Sequence, residues 1–521
     1  MVMGYAVPSQ RGQGIHTRQY ARTFIVQDSA GRRVVYSSVD ISAISHAMRR
    51  DVVANVQSRI GNVYRIDNVM LAAQLFKLRM KPKFNYHTNR PKIDTHGGPG
   101  GYHQYVLYDF TCLGFIPHAV SMNNENRLIS SDNLGLAAML LEQERNPGQM
   151  IGSGNFVGAF STANSGDISP NINGPRCMST GLYCDPIESS CPNRDVCIAL
   201  GPGVNDEDST RIIGSRMHVA AATMVRNGGG RQLTGNVGFM HQFLEMSAQV
   251  GTWFNTSANQ NQAFRGCHAA MGFSFAAGTT DGPGGFDFTQ GSTSGNPFWD
   301  SVRDFIAEPT ADDIACHAPK PILLNTGRTS RPYLWQPSIV PTQILMIGDA
   351  IIAGLPGEFT TMAGRRIRTE IANVGANSGR SFHTSDQITL LPPVINDDAG
   401  NSFFGAVQIQ PLARYNRGQT VTTTFTSGNP RNDLRLGSSY FFVERLATNG
   451  VWTVEATDAN WETRFIWTRT STLTGRNEIE FRWVIPASAP GGEYRIRHEG
   501  TARGPITGLR PYSGVTQVFS I

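Results

Sequence analysis

The chain is 521 residues long, carries a formal net charge of +5 and gives only 16% of its positions to charged residues. Such a length accommodates two or three domains with at least one large core, which excludes a small stapled module. Acidic and basic residues are interleaved along most of the chain, which excludes a dedicated nucleic-acid binder, because that function needs a basic stripe. With 55 glycines and 28 prolines the chain must turn often, so loops and short strands are expected.

The first residues, MVMGYAVPSQRGQG, hold no apolar h-region of an export signal, and no segment reaches the roughly 18 apolar residues of a membrane span. ARTFIVQD and RRVVYSSVDIS then read as two short strands joined by a turn at Ser29 to Gly31. DVVANVQSRIGNVY follows as a helix and NVMLAAQ as the next strand. Residues 73–94 concentrate Lys77, Arg79, Lys81, Lys83, Arg90 and Lys92. A solvated insertion is the plain reading of that stretch, and a loop that meets anionic headgroups is the alternative. It runs into IDTHGGPGGYHQY, where Asp94 and His96 stand two apart before a glycine-rich turn. Side chains at i and i+2 of an extended chain share one face. A carboxylate and an imidazole so placed can face one zinc ion, although a solvated turn explains the same spacing.

His118 opens the polar run HAVSMNNENRLISSDN. SDNLGLAAMLLEQERN predicts a helix with Asp132 as its cap and Leu136, Met139 and Leu140 as its apolar stripe, and FVGAFST a strand after it. Ser169, in STANSGDISPN, sits between that strand and a Pro-Asn turn, where a hydroxyl is held out of regular structure. Four of the seven cysteines, Cys177, Cys184, Cys191 and Cys197, crowd into one short segment. Two local disulfides or one metal knot fit that crowding; the lack of paired CxxC hooks favours disulfides and an oxidising compartment. Asn255-Thr256-Ser257 is a glycosylation acceptor that suits the same compartment. TQILMIGDAIIAGLPGEF predicts two apolar strands around Gly348-Asp349, with Glu358 at the turn that follows. Each of His118, Ser169 and Glu358 has an ordinary structural reading when taken alone: a hydrogen-bonded histidine, a turn former, a surface charge.

From about Ser402 the pattern changes to alternation without helical periodicity, in TVTTTFTSG, SSYFFVERL, TRFIWTRT, EIEFRWVIP and EYRIRHEG. Short strands at regular spacing between Gly, Pro and Asn turns predict a β-sandwich. Trp452, Trp461, Trp467 and Trp483 lie here; core packing is their first reading, and a sugar- or lipid-binding platform the second. The expected organisation is an α/β (α+β) domain with mixed sheets over 1–400 and a sandwich domain over 401–521.

Several long runs occur together and in order: GGPGGYHQYVLYDFTCLGF, SMNNENRLISSDN, GDISPN with the four cysteines after it, STRIIGSR, FSFAAGTTDGPGGFDF, NPFWDSVRDF, PKPILLNTG, PGEFTTMAGRRIR, PRNDLRLGSSYFFVERL and GGEYRIRHEG. In these runs the chain resembles the neutral ceramidases, zinc amidases that cut the N-acyl bond of ceramide to sphingosine and a fatty acid. The resemblance implies that Ser169 is the catalytic serine, that His118 and Glu358 are zinc ligands, and that Cys177 pairs with Cys191 and Cys184 with Cys197. It also implies an immunoglobulin-like C-terminal sandwich, a secreted or membrane-associated location, and peripheral contact with the membrane surface that holds ceramide and related N-acyl sphingoid lipids. No nucleic-acid partner and no transmembrane segment are expected.

The chain departs from the family pattern in four places. The family resembles T-H-T-H-S-G-P-G-G-Y where this chain has IDTHGGPGGY. Aligned on the glycines, His96 takes the substrate-facing position and Asp94 the zinc-binding one, where an anionic ligand replaces a neutral one. TCLGF is followed almost at once by IPHAVSM, without the family's long intervening segment. RRIR is followed closely by GANSGRSFHTSDQ, without the segment that carries the family's tyrosine ligand. The start corresponds to a point inside the family's first domain, past its first strand and export signal. Two functions follow as expectations: zinc-dependent hydrolysis of ceramide by Ser169 and His96, with the metal on His118, Glu358 and Asp94, or a non-catalytic relative that binds lipid or partners. Hydrolysis of another N-acyl lipid through a reshaped cleft is a third.

Overall fold

The computed structural model describes residues 12–41, 43–73, 105–107, 110–115, 118–123, 125–163, 166–185, 190–227, 233–255, 259–283, 288, 294–331, 335–374, 396–471, 474–505 and 507–521. Asp94, His96, the basic positions from Lys77 to Lys92, and Thr256 and Ser257 of the glycosylation triplet lie outside these residues.

Alternating burial makes the first hairpin. Ala21–Gln27 buries Arg22 and Phe24 and exposes the residues between them, the period-two pattern of a strand with one covered face. It pairs antiparallel with Arg33–Val39, around a turn where Gly31 takes φ 79°. Val69–Ala73 then pairs parallel with Arg33–Val39. The crossover between these two parallel strands is helix α1, His46–Ile60. It starts five residues earlier than the apolar pattern suggests, because Ser45 caps it by accepting the Met48 amide. It also ends before Tyr64, because Gly61 leaves the helix at φ 78°, a conformation only glycine adopts cheaply.

Helices α2, Asp132–Arg145, and α3, Asp206–Arg226, carry the middle of the chain. The stripe expected on α2 is a correction: Leu134, Leu136, Ala137, Ala138, Met139 and Leu141 are all buried while Leu140 is only half-buried. The helix is covered on more than one side, by α3 and by the strand Gly158–Thr162, through Leu134, Leu141, Phe160, Ile213, Met217 and Ala221. The close approach of α2 and α3 rests on Gly214, where an added Cβ would stand 3.0 Å from both the Asn133 carbonyl and Leu136. On the far side of α2, buried Arg22 bonds Asp40 at 2.8 Å and Glu142 at 3.1 Å. Breaking such a pair leaves a charge stranded in the interior, so this contact fixes α2 against the first sheet.

A second sheet comprises Val237–Glu245, Ile339–Ile347 and Ala350–Gly354, all antiparallel. Its last two strands are the expected hairpin, turning at Gly348 with φ 59°. This sheet packs on the first through Phe24, Val34, Met70, Val237 and Leu345. Helices α4, Pro297–Ala307, α5, Ala311–His317, and α6, Thr361–Val374, complete this part.

The last part consists of two sheets around one aromatic core. One runs in the order 407–409, 420–427, 476–484, 463–471, and continues into 14–15 and 128–129. The other runs 452–457, 441–446, 493–504, 508–515, with 519–520 paired to 493–504. Arg476–Val484 and Glu493–Gly504 bury alternate residues, which sends Ile479, Phe481, Trp483, Tyr494 and Ile496 into the shared core with Phe425, Phe441 and Phe465. The tryptophans divide: Trp483 is in this core, Trp467 packs on its edge, Trp461 lies 4.1 Å from the His16 ring, and Arg495 stacks over Trp452 at 4.2 Å. Arg18 joins the two parts by bonding Asp458 at 2.9 and 2.6 Å. The fold is therefore mixed α/β with many small sheets and few helices. Among the described residues no helix is long and apolar enough to cross a membrane.

Candidate functional site

Four loops meet at one place, and each is held there by buried polar contacts. The first carries His118, which is 1% exposed, followed by buried Ala119 and Val120. Its backbone hangs from the start of α2. Asn133 donates through Nδ2 to the His118 carbonyl at 2.9 Å and to Ser121 Oγ at 2.8 Å. The Asp132 carboxylate accepts the Ser121 and Met122 amides at 3.1 Å each. Asp132 thus does not cap α2 as expected; Ser131 occupies the cap, and Asp132, at φ 53°, turns its oxygens to the loop. Burial pushes the Asp132 carboxyl up to about 6 against the lowering effect of those amides. Asn123 donates its amide to Asp206 in the first turn of α3 at 3.0 Å. Asn133→Ala is expected to cost about 2 kcal/mol, the worth of two buried hydrogen bonds, read as a lower urea midpoint at unchanged slope.

The second loop is GDISPN, residues 166–171. Gly166 donates its amide to the Phe359 carbonyl at 2.9 Å, and an added Cβ would lie 2.8 Å from the Glu358 carbonyl. Glycine is required there by close approach to the third loop. Asp167 caps α6 from outside, accepting Thr361 N at 2.8 Å and Thr361 Oγ1 at 2.9 Å. Through these two contacts the loop that carries Ser169 fixes the loop that carries Glu358.

Ser169 Oγ donates to Asp281 Oδ1 at 2.7 Å and accepts the Asn171 amide at 3.1 Å. Asn171 Nδ2 also donates to Asp281 Oδ1, at 3.1 Å, and reaches the Val120 carbonyl at 3.4 Å. Asp281 is 2% exposed and lies at the turn between Gly278–Thr279 and Gly282–Pro283. The neighbouring Thr280 carbonyl accepts the Ala199 amide at 2.6 Å. Ala199 belongs to the strand Cys197–Leu200, paired with Gly174–Cys177 directly after the serine loop. Disulfides Cys177–Cys191 and Cys184–Cys197 tie down these two strands. Among the described residues, Cys177, Cys184 and Cys191 form a group of potential metal donors, but in disulfides they offer no thiolate, so the knot is covalent and not metallic. A third disulfide, Cys267–Cys316, lies elsewhere and was not anticipated by spacing.

His118 Nε2 stands 3.7 Å from Glu358 Oε2. That is long for a hydrogen bond and close to the roughly 3.4 Å that separates two donors on one tetrahedral ion with bonds of about 2.0–2.1 Å. An imidazole nitrogen and a carboxylate oxygen are both ordinary zinc donors, so this pair fits a shared ion. The described residues bring no third His, Asp, Glu or free Cys into a cluster with them.

Comparison with known proteins sets this geometry in a family. The sequence model for the N-terminal part of the neutral/alkaline non-lysosomal ceramidases matches residues 1–119 and 115–397, and that for their C-terminal part matches 364–521. The chain belongs to the neutral/alkaline non-lysosomal ceramidase family. It is 36% identical to the neutral ceramidase of Drosophila melanogaster over 677 aligned positions, covering 100% of this chain and 94% of that protein. It is 32% identical to neutral ceramidase B of Dictyostelium discoideum, covering 100% and 91%. Among solved structures it is similar to a ceramidase complexed with C2, with a TM-score of 0.76, 25% identity and coverage of 99% and 96%. The neutral ceramidase of Pseudomonas aeruginosa gives a TM-score of 0.75 at 25% identity.

The aligned span is longer than this chain, so the Drosophila ceramidase carries internal segments with no counterpart here. The N-terminal family match itself comes as two spans, 1–119 and 115–397, which meet at the residues around His118. Of the residues singled out in the sequence, Ser169, His118 and Glu358 are linked into one site by Gly166, Asp167 and Asn171. Asp281 and Asn171 were not singled out. The run TTDGPGG marks a turn, but nothing in it announces that its acid is buried against a serine from 112 positions away.

Proposed function

We propose that this chain hydrolyses the N-acyl amide of ceramide to sphingosine and a free fatty acid, as a zinc-dependent enzyme of sphingolipid breakdown. The observation that carries this reading is the Ser169 hydroxyl, held at 2.7 Å from buried Asp281 in a loop that docks on the Glu358 segment. Zinc would be held by His118, Glu358 and Asp94, and when bound would polarise the amide carbonyl and take up charge on its oxygen. Ser169 donates its proton to Asp281 and the Asn171 amide fixes Oγ; as water adds to the carbonyl carbon and the C–N bond breaks, the proton that water gives up would be relayed through this serine–carboxylate pair to the departing nitrogen. His96 faces the substrate in this reading. The sequence divides into an amidase domain over 1–400 and an immunoglobulin-like sandwich over 401–521, and the protein works outside the cell or at the membrane surface, meeting its lipid peripherally.

A second reading, a relative that binds lipid without cutting it, is favoured by the internal segments this chain lacks relative to the Drosophila protein. Two measurements on purified, dialysed full-length chain separate them: zinc per chain by elemental analysis, and fatty acid released from ceramide. Near one zinc with release is the expected result. No zinc and no release would leave the second reading.

A further inference from the structure

A cavity of about 410 Å³ opens beside the Cys267–Cys316 disulfide, where Met271–Gly272 pairs with Ile322–Leu324. None of Ser169, His118, Glu358 or Asp281 lines it. Its size falls within the roughly 300–1,000 Å³ of small-molecule sites. Phe273, Phe275, Ala270, Pro321 and Ile322 give it an apolar wall, and Lys320 brings a full charge to that wall. Burial alone lowers the Lys320 ammonium below its usual range, and no carboxylate among the described residues offsets this. A half-buried cation without a counter-ion is unfavourable, and an anionic group entering the cavity relieves it. His317 is held at the rim by donating from Nε2 to the His268 carbonyl at 2.8 Å, so the polar edge is ordered before any ligand arrives.

We propose that this cavity binds a long-chain carboxylate, with its chain along the apolar wall and its head on Lys320. The choice of a carboxylate rests on the amide-hydrolysis reading, whose product is a fatty acid; the need for an anion with an apolar tail rests on the cavity itself.

The test is fluorescence titration of the full-length protein with cis-parinaric acid, a long-chain carboxylate, which requires no turnover and so stands whether or not ceramide is cut. Saturable one-site binding is expected. Lys320→Met should weaken it about tenfold or more, the effect of losing one charged contact. Lys320→Arg should retain most of the affinity, and Ala270→Trp should fill the cavity and remove it. Dodecanoate should displace the probe far better than dodecanol. Absence of saturable binding, equal affinity in Lys320→Met, or binding that survives Ala270→Trp but is lost in Ser169→Trp would overturn the proposal.

Discussion

Ser169→Ala and Glu358→Ala are each expected to abolish fatty acid release from ceramide, while Asp281→Asn lowers kcat by about a hundred- to ten-thousand-fold, the range of a positioned acid or base. The serine oxygen is fixed on two sides, by the carboxylate it donates to and the Asn171 amide it accepts. Asparagine at 281 keeps the shape and removes the proton acceptor, so KM should move little while kcat falls. Ser169 and Asp281 act on one proton, so the double variant should be no slower than Ser169→Ala alone. A multiplicative loss would mean independent roles, and full kcat in Asp281→Asn would reduce that carboxylate to a structural contact. Glu358→Ala should lose zinc and activity together and keep its thermal transition, because His118 remains held by Asn133 and by the core on Ala119. Zinc retained in Glu358→Ala would remove the ligand assignment.

What the sequence made legible follows from how local each signal is. The hairpins at Gly31 and Gly348 and the alternating strands of the last part are written in neighbouring residues, and they form where the pattern puts them. Periodicity assumes one covered face and so predicts a stripe on helix α2, whereas α3 and the strand Gly158–Thr162 cover it from different sides. Asp132 illustrates the same limit at a single residue: a cap is its commonest use at a helix start, but a loop ten residues upstream recruits both its oxygens. Ser169, His118 and Glu358 of the candidate site stand out through the long matching runs, whereas Asp281 does not, because its contact with Ser169 depends wholly on a partner distant in the chain. Cys267 and Cys316 stand 49 residues apart, with nothing between them to mark a pair.

The last part of the fold should lose stability as pH falls from about 6.5 toward 4, by up to about 3 kcal/mol from one side chain, and His498 is that side chain. It is fully buried, with its ring 5.3 Å from Phe425 and 5.1 Å from Phe481. Its Nδ1 donates to the Tyr440 carbonyl at 2.8 Å, which leaves Nε2 as the acceptor, 3.3 Å from the Tyr512 hydroxyl. Burial, helped by the positive charge of Arg435, lowers this imidazole to about 4. A depressed histidine favours the neutral folded form, so its contribution is fully present above the unfolded value of about 6.5 and is lost on acidification through the folded value. Asp132 works in the opposite sense: raised to about 6, it makes the fold relatively more stable as pH drops from 6 toward its unfolded value. His241, lowered to about 4 by burial and by Arg49, adds to the effect of His498. Total stability against pH therefore mixes opposing slopes, and the quantity to measure is a difference. Urea unfolding of wild type and His498→Phe at pH 7 and pH 4.5 isolates it, because the other groups titrate alike in both proteins. The variant should be the less stable at pH 7, having lost the bond to Tyr440, and should close most of that gap at pH 4.5. A gap that is the same at both pH values would show that His498 carries its proton unchanged through unfolding.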